Sequence, residues 1–401
     1  MWLPAAVFFC RRWSIGQTPD VPLSLFTQPL IAAIAGFGGT LAIVLAAAAA
    51  MGADAAQTAS WVAAISLFKA LSGAWLSWRY RMPFVCAWST PGAALLAASA
   101  APAGFEVAVG AFVVTAGLIL LTAAIAPLAR LIERLPASIA SAMLAGILLR
   151  LVAGMVEHLP RAPALVLSMI AAFLVVRLFW PTLASLVALA LGAAIAFAAG
   201  SVGSVPAVQL STLVWVRPSF DLAALLGLAL PLYLVTMASQ NLPGFAVLRA
   251  SGYAPPVTPA LAATGLASLA SAFFGAHTSN LAAISAALCT GPDTHPDPAR
   301  RWLAGLVYAF YWLLIAAFGA SLVGFFLALP PALLATVAGL ALLGSLAGAL
   351  SASMAAEPER LAAAATVAVT VSGVTVLGIG SAFWGLAAGL IVLGADRLVR
   401  R

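Results

Sequence analysis

Apolar stretches of about twenty residues recur along the whole chain, separated by short breaks that carry proline, glycine or charge. A helix of roughly 20 apolar residues spans the hydrocarbon core of a bilayer. On that measure the chain predicts an all-α polytopic membrane protein of about fourteen spans. They fall at 26–50, 57–78, 83–100, 105–127, 137–156, 162–179, 182–200, 221–243, 256–273, 275–291, 300–323, 331–352, 358–376 and 378–398. The runs are continuous rather than alternating, which argues against a transmembrane barrel. One longer break, SVGSVPAVQLSTLVWVRP around 201–218, divides them into halves. The domain reading is a leader over 1–25, seven spans over 26–200, a linker over 201–220 and a second set of seven over 221–401.

Three spans interrupt the pattern with hydrogen-bonding side chains at membrane depth. Span 3 contains CAWSTPGAALLAASA, span 8 contains LYLVTMASQNLPGFAVL and span 10 contains GAHTSNLAAISAALC. Pro91 lacks an N–H and suits the first turn of a helix rather than its middle. Ser89 or Thr90 is placed to cap that helix, so 83–89 reads as extended and 91–100 as a half-helix. Span 10 repeats the order: Gly275 opens an extended piece, a residue near Ser279 caps, and a helix runs from about Asn280. Pairing Trp88 with His277 aligns Ser89 with Thr278, Thr90 with Ser279 and Pro91 with Asn280. Seven spans is an odd number, so the second half starts from the opposite side and the repeats are inverted. In span 8, Pro243-Gly244 after Ser239, Gln240 and Asn241 predicts a break or kink. Non-helical backbone persists at membrane depth only inside protein or beside a water-filled cavity. Two half-helix N-termini at one cavity would offer unpaired N–H groups and partial positive charge, a setting for an anionic group.

Composition sharpens this picture. The chain is 64% hydrophobic and 7% charged, against about 25% charged in a soluble domain, which excludes an ordinary soluble globule. The net charge of +7 does not indicate a nucleic-acid partner, because the arginines are scattered through short loops and form no basic face. They report topology instead. With the N-terminus in the cytoplasm, fourteen of the 18 Lys and Arg fall inside, Arg150, Arg161 and Arg217 fall outside, and Lys69 lies within span 2. That is the positive-inside bias, and it leaves both termini cytoplasmic. The first apolar run precedes Arg11 and Arg12, the reverse of a signal peptide. Cys10, Cys86 and Cys289 are far apart and lack CxxC spacing. They read as small buried hydrophobes, with no metal site and no cofactor expected.

Most acids have structural explanations. Asp54, Glu106, Asp221, Glu357 and Glu359 sit near predicted helix starts, where carboxylates stabilise the dipole. With no carboxylate secure at mid-membrane, His277 becomes the proton-coupling candidate, since imidazole changes charge near working pH. A neutral histidine bonding a neighbouring helix is the competing reading. Lys69 lies ten positions before Arg79, about 15 Å at helical rise. It is either a fixed charge facing the cavity or part of the scaffold, and the scaffold reading is preferred.

The segments WSTPGAALL at 88–96, TMASQNLPG at 236–244 and GAHTSNLAAISAALCTGP at 275–292 resemble the signatures of the benzoate/proton symporter family, BenE. The resemblance covers nearly the whole chain, in order. It implies kinship with uracil and other nucleobase permeases, and hence seven-plus-seven inverted repeats. Spans 1–4 and 8–11 would form a core, spans 5–7 and 12–14 a gate, and spans 3 and 10 would carry short antiparallel strands flanking the substrate. The nucleobase carriers use glutamates in spans 8 and 10. The matching positions here are Ser239 or Gln240, and Ser279, which suits an anion better than a nucleobase. Where the symporter pattern has GGH, this chain has Gly275-Ala276-His277.

The leading function is therefore a secondary carrier that imports benzoate or a related aromatic carboxylate with a proton across a bacterial inner membrane. The resemblance also suggests a homodimer. The substrate-binding candidates are Ser89, Thr90, Gly92, Ser239, Gln240, Asn241, Thr278, Ser279 and Asn280. Alternatives are a carrier of another small anion or a nucleobase, a passive anion channel, and an intramembrane enzyme. The enzyme reading is weak: nucleophilic catalysis needs a base oriented by a third group, and no acid lies near His277 in sequence.

Overall fold

The computed structural model describes residues 22–99, 102–125 and 136–399. Most of the expected leader lies outside the described residues, as do Arg130 and Arg134. Among the described residues fourteen helices follow the hydropathy pattern: α1 (Ser24–Ala50), α2 (Ala55–Tyr80), α3 (Thr90–Ala98), α4 (Phe105–Ala124), α5 (Ala137–Glu157), α6 (Pro163–Phe179), α7 (Pro181–Ala198), α8 (Leu222–Ala250), α9 (Val257–Ala272), α10 (Ile284–Thr290), α11 (Trp302–Ala328), α12 (Pro331–Ser353), α13 (Arg360–Val371) and α14 (Ser381–Val399). By length and composition nine can cross a membrane: α1, α2, α4, α5, α7, α8, α11, α12 and α14. The chain is thus a multi-pass helical membrane protein, and α3 and α10 are short pieces within it.

Helix ends are set by the acids that the sequence placed there. Asp54 accepts from the Gln57 N–H and Gln57 returns a bond to the Asp54 N–H, a capping box that opens α2. Asp221 Oδ1 accepts from Ala224 N at the start of α8. Glu359, before α13, accepts from Ser138 of α5 and pairs with Arg397 of α14. The linker from 201 to 221 carries no helix. It is tied to neighbouring elements by single bonds, among them Ser211 N to Ala317 O on α11 and Ser219 N to Glu106 O on α4.

α8 does not break at Pro243, as the Pro-Gly pair had suggested. It widens instead into two π-helical turns, Leu225–Ala229 and Met237–Asn241. Each is followed two residues later by a proline, Pro231 and Pro243. A proline supplies no N–H to the preceding turn, and a wider turn re-registers the ladder while the helix continues.

Two strands lie at the heart of the chain. β1 (Cys86–Trp88) and β2 (Ser279–Leu281) pair antiparallel, with Ala87 opposite Asn280. The first half-helix starts where expected: α3 begins at Thr90, with Ser89 Oγ capping the Gly92 N–H at 3.0 Å. The second does not. Ser279 and Asn280 belong to β2, and α10 starts only at Ile284. No proline stands after the polar cluster in this half to force an early helix, so the strand runs on. In the ladder Trp88 lies opposite Ser279 and Cys86 opposite Leu281.

Around the strands, α2 packs on α11 and α9, α4 on α9, and α1 on α3 and α11. Separately, α5 packs on α12 and α13, α13 on α14, and α6 on α7.

Candidate functional site

A pair of strands inside a membrane protein has outer edges that water cannot satisfy, and each bare N–H or C=O there costs several kcal/mol. Side chains meet this demand. Ser268 of α9 accepts from Ser279 N at 2.9 Å and donates to Ser279 O at 3.1 Å. Asn241, at the end of the second π-turn of α8, accepts from Leu281 N at 3.0 Å through Oδ1. The strand ladder itself is extended by Ser89 N to Thr278 O and Ala282 N to Val85 O. Thr236 joins the units, donating to Ser89 Oγ at 3.1 Å and sharing a 2.8 Å bond with Thr278 Oγ1.

His277 belongs to this scaffold. It is 1% exposed. Trp61 of α2 donates its indole N–H to His277 Nδ1 at 2.9 Å, and Nε2 faces the Ser89 carbonyl at 3.1 Å. Nδ1 is thus an acceptor, and Nε2 carries the hydrogen. A second proton could be added only at Nδ1, by breaking the Trp61 bond. The expectation that His277 carries the proton finds no free ring nitrogen in this arrangement.

The strand unit opens onto a cavity of about 690 Å³, within the usual range of ligand sites. Thr90 and Pro91 at the start of α3, and Ala283, Ile284 and Ser285 at the start of α10, line it. Ser239, Gln240 and Pro243 come from the π-turn region of α8, and Gly36, Gly39 and Thr40 from α1. α11 contributes Tyr308 and Trp312, and β1 contributes Trp88. The far wall comes from the second group of helices, with Ser141 of α5, Ser185 of α7 and Ser345 of α12. No Asp or Glu lines it among the described residues, and Lys69 of α2 does.

Of the nine substrate-binding candidates, Thr90, Ser239 and Gln240 line the cavity. Ser89, Asn241, Thr278, Ser279 and Asn280 are fully buried and do not line it. Asn241 and Asn280 bond the Leu281 backbone of β2, Ser89 caps α3 and Thr278 bonds Thr236. Ser279 Oγ and Asn280 Oδ1 have no partner among the described residues. Asn280 Nδ2 lies 3.4 Å from Gln240 Oε1, so it braces a wall residue. Gly92 serves packing: a Cβ there would sit 2.6 Å from Leu232 Cδ1 and 2.7 Å from Ser89 Oγ. Trp88, Tyr308, Trp312 and Ser285 were not among the sequence candidates. Tyr308 and Trp312 had a legible signal, since residues four apart share a helix face and these two put polar atoms inside an apolar span. Ser285 could not be found while α10 was expected to start at Asn280.

The model of a family described as "Benzoate membrane transport protein", BenE, matches residues 20–395. The chain is 40% identical over 371 residues to "Inner membrane protein YdcO" of Escherichia coli (strain K12), covering 92% of this chain and 95% of that protein. It is 36% identical over 373 residues to "Benzoate membrane transport protein" of Acinetobacter baylyi (strain ATCC 33305 / BD413 / ADP1), covering 93% and 95%. Among solved structures, the transmembrane domain of the cyanobacterial bicarbonate transporter BicA aligns with a TM-score of 0.62 at 16% identity, over 92% of this chain and 98% of that one. SLC26A9 aligns with a TM-score of 0.62 at 15% identity, over 95% and 67%. These distant likenesses show the fold alone, and they do not show the kinship with nucleobase permeases that the sequence resemblance implied. The family and the Acinetobacter relative are named for membrane transport, not for an enzyme activity. The strand pair, the central cavity and the match over almost the full length lead to one conclusion: this chain belongs to the benzoate membrane transport protein family, BenE.

Proposed function

We propose that the protein is a secondary carrier that imports benzoate or a related aromatic carboxylate with a proton across the bacterial inner membrane, both termini lying in the cytoplasm. The observation that carries this reading is the character of the cavity: walls of Trp88, Trp312 and Tyr308, hydroxyl groups at the helix starts, and no carboxylate among its described lining. An aromatic ring packs on such walls, and nothing there repels an anion. Bicarbonate, the substrate in the name of one fold neighbour, has no ring to pack on those walls. The neutral Ser239 and Gln240 speak against a nucleobase.

The helix packing supports a core of α1–α4 and α8–α11 and a gate of α5–α7 and α12–α14, with the cavity between them, so that rocking one group against the other would expose it to alternate sides. A benzoate anion entering against the membrane potential costs about 2.3 kcal/mol per 100 mV. A proton moving with it cancels that cost and adds the pH gradient as a driving force. Proteoliposomes are expected to take up benzoate above protein-free vesicles, faster with an inward proton gradient and no faster than leak once a protonophore is added. A panel with uracil, bicarbonate and sulfate checks the substrate class. Uptake that never exceeds the protein-free leak would withdraw the reading. The homodimer is checked by light scattering on the same preparation.

In this reading His277 braces α2 against the strands. His277→Gln keeps an acceptor for Trp61 and a donor for the Ser89 carbonyl. It is expected to retain gradient-driven uptake within about threefold, the scale of one net hydrogen bond. Loss of the pH-gradient response in a folded His277→Gln protein would return the proton to this residue.

A further inference from the structure

We propose that Lys69 is the counter-charge for the substrate's carboxylate, held against Trp88 and Trp312 until an anion enters the cavity. The proposal rests on the aromatic-carboxylate reading above and deepens it. Lys69 sits near the middle of α2, about 15 Å or more from either helix end, so its ammonium cannot reach the interface. It is 1% exposed, and its Nζ has no hydrogen-bond partner among the described residues. Nζ stands 2.9 Å from the Trp312 ring centroid and 4.3 Å from that of Trp88. All three residues line the cavity.

Two ring faces attract an ammonium, but less strongly than a group taken out of water requires. The described residues offer nothing better. The ionisable groups close to the amine are Cys86 on β1 and His277 before β2, and Thr40 on α1 and Tyr308 on α11 line the same cavity. None is a carboxylate, and both ion pairs among the described residues, Arg300–Asp297 and Arg397–Glu359, lie at exposed ends. The missing charge is therefore one that arrives from outside. The indoles are themselves fixed: Trp88 Nε1 donates to Thr40 Oγ1 at 2.8 Å, and Trp312 packs against Phe37 and Tyr308. Once the ammonium turns to an incoming carboxylate, the same two rings are free to take the aromatic ring behind it. An aromatic acid satisfies both halves of the site, and a simple inorganic anion satisfies one. This assigns to Lys69 the preference for charge and to Trp88 and Trp312 the preference for a ring.

The test is equilibrium binding of benzoate and of its uncharged isostere benzamide to the purified full chain, as wild type, Lys69→Met and Lys69→Arg. Lys69→Met is expected to lose on the order of 100-fold or more in benzoate affinity, the scale of one ion pair in a partly dry site. Its benzamide affinity should not fall, since the two rings no longer hold an ammonium, and its melting temperature should equal or exceed that of the wild type, since a buried unpaired charge has been removed. Lys69→Arg should keep a preference for benzoate over benzamide. The proposal is overturned if Lys69→Met binds benzoate as the wild type does, if it loses both ligands alike, or if it fails to fold. Those outcomes leave the substrate reading standing. Wild-type protein that binds no benzoate would instead remove the substrate reading, and this proposal with it.

Discussion

Ser268→Ala is expected to destabilise the protein by about 1–3 kcal/mol and to abolish uptake. Ser268 Oγ accepts from Ser279 N at 2.9 Å, while its one hydrogen is divided between Thr264 O at 2.8 Å and Ser279 O at 3.1 Å. A buried N–H left unpaired costs about 1–3 kcal/mol. The Ser279 N–H cannot turn to water, because Ser268 and Ser279 are buried. β2 would loosen at its first residue, and with it the approach of α10 to the cavity. Thr264→Val is the matched control. The Thr264 hydroxyl bonds back only to carbonyls of its own helix, Ala260 and Leu261, so its loss should cost less than about 1 kcal/mol. The measurement is thermal unfolding of both variants in the same detergent, followed by uptake. A Ser268→Ala protein as stable as Thr264→Val would show that the strand edge finds other partners.

Ser268 carries no signal in the sequence, because its partner is set by strand pairing and not by its own helix. Hydropathy located the helices because each must hide its own backbone from lipid, a demand written into every run of twenty residues. The first half-helix was legible too, because Pro91 permits few other arrangements. The second was misplaced by four residues, since Ser279 and Asn280 carry no such constraint and strand pairing with β1 decided their conformation. The same pairing reversed the meaning of the polar clusters. A row of hydrogen-bonding side chains in an apolar span reads as a ligand site, yet Asn241 and Asn280 bond the Leu281 backbone of β2 and Thr278 bonds Thr236 of α8. The cavity is instead lined by the next residues along, Ser239, Gln240 and Thr90, and by Tyr308 and Trp312 from a helix whose sequence looks like ordinary membrane span. Lys69 was visible as an oddity. That it faces two indoles and no acid is a tertiary fact, fixed by the packing of α2 on α11.

Gln240→Glu is expected to reduce benzoate binding by on the order of 100-fold while leaving benzamide binding nearly unchanged. The side chains are close in size, so the cavity keeps its shape and only charge is added. Gln240 lines the cavity together with Lys69, Thr90 and Ser285. A carboxylate there repels the substrate anion across the cavity, and at about 6 Å with an effective dielectric of about 20 the repulsion is about 3 kcal/mol. It would also compete for Lys69, which pushes the result the same way. Acid reverses the effect with a definite sign. As pH falls the new carboxyl takes up a proton, the repulsion disappears, and the ratio of variant to wild-type affinity climbs back toward one. Gln240→Met, which removes the amide without adding charge, should lose less than about tenfold, because the 3.4 Å contact with Asn280 is a weak one and a neutral hydrogen bond contributes about 1 kcal/mol. Titrations of both variants with benzoate and benzamide at neutral and acidic pH make the comparison. If Gln240→Glu binds benzoate as well as Gln240→Met does, the substrate's carboxylate lies elsewhere, and the neutrality of this π-turn has nothing to do with anion selection.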